Sequence, residues 1–162
     1  MTRALPLPVV ARRATLRAMA LHLLKLSVGS RSLDALRGWV ERSSAASVAA
    51  GGRRGARITT RMAPRRLDEV LAGGSLYWVV KGTLQARQPI LAFEPFKDDS
   101  GVARYHVLLD PQVVSVRPRP CRPFQGWRYL RPEDAPADWD ASGLDDDIPA
   151  SMRRELMELC LI

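Results

Sequence analysis

The hydrophobic pattern along the chain switches repeatedly between two periods. "LHLLKLSVG", residues 21–29, is short and apolar, closes at Gly29, and predicts a strand. In "RSLDALRGWVERSSAA", Leu33, Leu36 and Val40 recur at helical spacing, Ser32 can cap the first turn, and Trp39 flanks the stripe. That pattern predicts a helix. "SSAASVAAGGRRGA" is small and Gly-rich, and predicts a flexible loop. The β-branched run at 57–61 predicts a short strand. Pro64 suits the first turn of a short helix whose stripe is Leu67, Val70 and Leu71, and Gly73 and Gly74 end it.

From Leu76 to Lys81 the chain alternates. Leu76, Trp78 and Val80 form the expected core face, and Tyr77, Val79 and Lys81 the opposite one. "RQPILAFEPF" and "GVARYHVLLD" flank "KDDSG", a hairpin signal, and "QVVSVRP" adds a further short strand. "RPFQGWRYLRPEDAP" is proline-bounded and irregular. An acidic loop at 133–147 precedes a last helix at 149–160, with the stripe Ile148, Met152, Leu156 and Leu159. Strands in succession imply antiparallel pairing. The expected fold is therefore α+β: a small curved, mostly antiparallel sheet or partial β-barrel with about three helices. Residues 1–18 hold four arginines and no acid. They are expected to be an N-terminal extension outside the fold, with one domain over 19–162.

Composition narrows the picture. With 162 residues and 46% hydrophobic content, the chain is long enough for one real core. The net charge of +8 is unevenly placed. Residues 1–66 carry 14 Lys and Arg against 2 acids, and residues 132–162 carry 2 against 9. A basic front favours a polyanionic partner. The acidic run Asp145–Asp147 suits the start of the last helix, and its spacing is not that of a calcium loop. Cys121 and Cys160 are unpaired in sequence and distant from His22 and His106, which argues against zinc and fits a reducing cytoplasm. No apolar run approaches the roughly 20 residues that span a bilayer. No cofactor is called for.

Several unusual strings stand together: the "LHLLKL" start, Gly-Gly-Ser-Leu-Tyr-Trp-Val from Gly73, the Arg87-Gln88 pair, and Phe124-Gln125-Gly126-Trp127-Arg128-Tyr129. On these the chain, from about Met19 onward, resembles the bacterial "domain of unknown function 1489" family, which brings no settled activity. The segments Ile58–Arg61, Pro64–Ala72 and Leu76–Lys81 are also similar to PUA-like and ASCH-like RNA-binding barrels. "LYWVVKG" is similar to the opening strand of EVE domains, although here it lies mid-chain. This second resemblance implies a barrel that binds RNA.

The residues point the same way. Arg53, Arg54, Arg57, Arg61, Arg65 and Arg66 fall within 14 residues without one acid, and guanidinium groups pair with phosphates. Tyr77 with Lys81 suits a base stacked beside a phosphate. Trp127, Arg128 and Tyr129 offer a second stacking wall, and Arg87 and Gln88 can bond base edges. The site expected is thus Arg57, Arg61, Arg65, Arg66, Tyr77, Lys81, Arg87, Gln88, Trp127, Arg128 and Tyr129. The bland alternatives are a solvated basic loop, Tyr77 and Trp78 packed on the two sides of a sheet, a structural anchor at Trp127, Arg128 and Tyr129, a hairpin role or a Glu94 pairing for Arg87 and Gln88, and a packed His22. Nucleophile motifs, P-loops and dinucleotide fingerprints are absent, so no catalytic residues are assigned. The leading expectation is a cytoplasmic RNA- or nucleic-acid-binding module. The alternatives are a scaffold for an acidic protein and an enzyme on a nucleotide or modified base.

Overall fold

In a computed structural model of the chain, residues 20–139 are described, together with Met152, Glu155 and Leu159. The described strands are β1 (His22–Leu26), β2 (Ala56–Thr60), β3 (Ser75–Val80), β4 (Thr83–Lys97), β5 (Ala103–Leu109), β6 (Val114–Pro120) and β7 (Trp127–Leu130). Two α-helices join them, α1 (Leu33–Ala49) and α2 (Leu67–Leu71), with a 3-10 turn at Pro132–Asp134. The architecture is mixed α+β, as expected. The described residues hold two helices rather than about three, and the sheet is open rather than barrel-like. The expected helix at 149–160 lies mostly outside the described residues. Met152 and Glu155 are helical, and the Leu159 amide donates to the Glu155 carbonyl at 3.0 Å.

The seven strands run β2-β5-β4-β3-β1-β7, with β6 also paired to β4. All pairs are antiparallel except β1 with β3. One long ribbon organises the sheet. β4 pairs its second half with β5 and its first half with β6, which continues from β5 after a four-residue interruption in which the Asp110 amide donates to the Pro89 carbonyl. β3 extends the ribbon on one flank and β2 on the other. The sheet curls along this ribbon, and its first face encloses α1.

Period-2 alternation divides two cores. Leu23, Leu76, Trp78, Val80, Ala86 and Leu109 pack with Leu36 and Val40 of α1 and Val70 of α2. On the other face Tyr77, Val79, Leu84, Val116 and Leu130 pack under Phe124, Cys121 and Ala135. β3 is therefore buried on both faces, so the "irregular" proline-bounded segment is the cover of a second core. Burying a large side chain such as Tyr77 stabilises by about 2 kcal/mol.

Three local readings change. The segment "SSAASVA" is the second half of α1, not a flexible loop. Its serines face the segment leading into the edge strand β2. Ser43 Oγ accepts from the Arg57 amide, Ser44 Oγ from the Gly55 amide, and Ser47 Oγ donates to the Arg53 carbonyl. Small residues let the helix approach closely enough to satisfy amides that an edge strand leaves open. Lys81 is no strand residue: it holds φ 48° and Gly82 φ 74°, a two-residue hairpin turn between β3 and β4. Leu71 is exposed, so Val70 alone of the α2 stripe is fully buried.

Gly74 is required rather than merely favoured. A Cβ there would meet the backbone carbonyl oxygens of Leu21 and Val70. Its amide donates to the Val70 carbonyl at 2.8 Å, closing α2 directly onto β3.

Candidate nucleic-acid interface

The expected site residues separate into an interior group and a surface group. Tyr77 is 1% exposed and meets the buried His22 ring edge-on at 5.1 Å. His22 Nδ1 accepts from the Ser75 amide at 3.0 Å, which puts the ring proton on Nε2. Gln88 is fully buried; its Oε1 accepts from Trp78 Nε1 at 2.8 Å and its Nε2 donates to the Asp110 carbonyl at 2.7 Å. Arg87, also buried, donates to both oxygens of Asp138 at 2.7 and 2.8 Å and to Ser75 Oγ. These contacts give Tyr77, Arg87 and Gln88 core roles in place of base stacking and base-edge readout. Asp138 also joins the sheet, because Val116 bridges to it. Asp138, at the described start of the acidic segment, thus pairs with Arg87.

The surface group is brought together by β7. Its edge position follows from its pairing to β1: His22 with Leu130, Leu23 with Tyr129, Leu24 with Arg128 and Lys25 with Trp127. Alternation places Trp127 and Tyr129 on the first face, where their rings meet edge to face at 5.2 Å. Arg128 takes the second face and lies over the Phe124 ring at 4.8 Å from its centroid. The Arg66 amide donates to Tyr129 Oη at 3.2 Å. That bond lays the basic loop 61–66 beside the aromatic edge. Arg61 and Arg65 are exposed and meet no carboxylate among the described residues. Arg66 is half committed. It forks onto Glu69 at 2.6 and 2.7 Å, which raises its own pKa and holds the Glu69 carboxyl below the usual range, the side-chain hydrogen bond being the largest cause of both.

Arg57 stands apart. Ile58 turns towards the first face, so Arg57 points to the outer side, 4.0 Å from Glu94. Its Nε is buried and meets no hydrogen-bond partner among the described residues. Lys81 is exposed in the β3–β4 turn, at the end of the sheet where β1 also runs out.

Sequence reasoning missed Lys25. It pairs with Trp78 on one side and Trp127 on the other, so a Trp–Lys–Trp row crosses β3, β1 and β7 on one face. Only the pairing of strands distant in sequence creates this row. At its β3 end lies a cleft of about 630 Å³ between β1 and α1, lined by Lys25, Trp39, Arg42, Ile58 and Trp78 among others. Trp39 had appeared only as a neighbour of the α1 stripe; it meets Trp78 edge to face at 6.0 Å.

Among the described residues no group of three or more His, Cys, Asp or Glu side chains is placed to hold a metal ion, and no helix is long and apolar enough to cross a membrane. A family model described as "Protein of unknown function (DUF1489)" matches residues 23–162. No curated protein and no solved structure matches the chain, so the resemblance to PUA, ASCH and EVE barrels gains no support.

Proposed function

The chain belongs to the DUF1489 family, whose description names no activity, and from its own geometry we propose that it binds single-stranded nucleic acid, RNA foremost, along the β7 edge. Arg61 and Arg65 hold phosphates, Tyr129 and Trp127 stack bases, and Lys25 continues the track towards the cleft. The observation that carries this reading is the hydrogen bond from the Arg66 amide to Tyr129 Oη, which joins the basic loop to the aromatic edge. Stacking surfaces beside unpaired cations suit a flexible strand whose bases are free to unstack. The strand edge is four residues long, which suits a few nucleotides rather than a duplex groove.

Compared with the expected site, the interface loses Tyr77, Arg87 and Gln88, sets Arg57, Lys81 and Arg128 aside, and gains Lys25. A labelled RNA decamer titrated with protein and followed by anisotropy tests it. Tyr129→Ala is expected to weaken binding by about tenfold, the value of one stacked base. Tyr129→Phe keeps the ring and is expected to retain most of the affinity. Equal affinity for all three proteins rejects the stacking role.

A further inference from the structure

The cleft between β1 and α1 is not needed to explain the β7 edge, yet it opens on the same face. We infer that it is a receptor for one unstacked nucleotide, its base against Trp39 and its phosphate on Lys25 and Arg42. The inference rests on the strand-binding reading above. Its volume of about 630 Å³ falls within the range of small-molecule sites. Two indoles at an interplanar angle of 76° line the cleft, with Trp78 as the buried member, part of the first core, and Trp39 as the half-buried one packed against it. A flat heteroaromatic ring gains most from such a wall.

Charge selects the ligand further. The lining carries two cations, Lys25 and Arg42, against one carboxylate, Asp34, which lies 3.7 Å from Arg37 on the same helix. Lys25 and Arg42 meet no carboxylate among the described residues. An apolar wall with cations at its rim fits a base bearing phosphate better than an uncharged aromatic. Continuity supplies the last argument. Lys25 lines the cleft and is also the cross-strand neighbour of Trp127. A strand lying on Tyr129 and Trp127 therefore arrives at the cleft with its next phosphate beside Lys25.

The test uses adenosine 5′-monophosphate on the full chain, read by tryptophan fluorescence, beside the RNA decamer. The mononucleotide is expected to quench the signal, and adenosine to bind at least several-fold more weakly. Trp39→Ala is expected to weaken the mononucleotide about tenfold or more. Because Trp39 also packs on Trp78, the exposed Arg42→Glu serves as a second variant, with the same loss expected. A protein that holds the decamer but not the mononucleotide overturns the cleft and leaves the edge standing. So does mononucleotide binding unchanged in both Trp39→Ala and Arg42→Glu. Failure of both ligands overturns the edge and the cleft together.

Discussion

Arg87 and Gln88 show how far side-chain chemistry can mislead at single positions. Both can read a base edge, and both are spent inside the protein. Gln88 joins Trp78 Nε1 to the Asp110 carbonyl. Gln88→Leu would strand a buried indole N–H, and is expected to cost about 1–3 kcal/mol in chemical denaturation. A loss of nucleic-acid affinity without a loss of stability would return Gln88 to the surface reading. Lys81 offers the opposite sign. It sits at φ 48° in a turn that favours glycine, so Lys81→Gly should stabilise by about 1 kcal/mol, read as a shifted denaturant midpoint with an unchanged slope. A lower midpoint would mean that the lysine makes a contact the turn geometry does not require. The alternation of residues 76–80 was legible from sequence. Burial of both faces of β3 was not, because the cover comes from residues some 45 positions later, Phe124 among them. Composition carries no trace of such a distant contact.

Among the elements, the hairpin and α1 teach different things. The β4–β5 hairpin was readable because its turn is local. Asp98 accepts from the Ser100 and Val102 amides and from Arg104 Nε. The Arg104 hydrogen bond, first, then the Val102 amide hold its carboxyl below the usual range. A depressed folded pKa contributes stability that is fully present above the unfolded value, about 3.9, and is lost as pH falls through the folded one. The Val102 amide shift should therefore titrate with a midpoint below about 3.9, and Asp98→Asn should abolish the step. A midpoint at or above that value would disprove the turn's charge pairing. α1 was half readable. The Leu33–Val40 stripe gave its start, whereas "SSAASVA" carries no apolar stripe, and its serines are explained only by the Gly55 and Arg57 amides they meet at the entry to β2. Ser43→Ala should cost about 1 kcal/mol in unfolding free energy. It should also speed hydrogen exchange at the Arg57 amide, and unchanged protection there would remove the proposed seam.

For the whole molecule, charge and curvature act together. The curled sheet turns its β7 edge towards the loop that follows β2, so two segments 63 positions apart share one hydrogen bond. The basic cluster was visible in sequence as a count. Its division was not: Arg57 goes to the outer face with Glu94, Arg66 to Glu69, and Arg61 and Arg65 stay exposed in the loop whose Arg66 amide meets Tyr129. A strand bound there releases counterions from each neutralised phosphate, about 0.7 per contact on the logarithmic salt slope for single strands. The most direct measurement is the affinity for a single-stranded RNA decamer from low to moderate salt, for the wild-type chain and for Arg61→Ala/Arg65→Ala. Binding is expected to fall steeply with salt, with a slope smaller by roughly 1.4 in the double variant. A decamer that does not bind, or a slope that the two alanines leave unchanged, would contradict it.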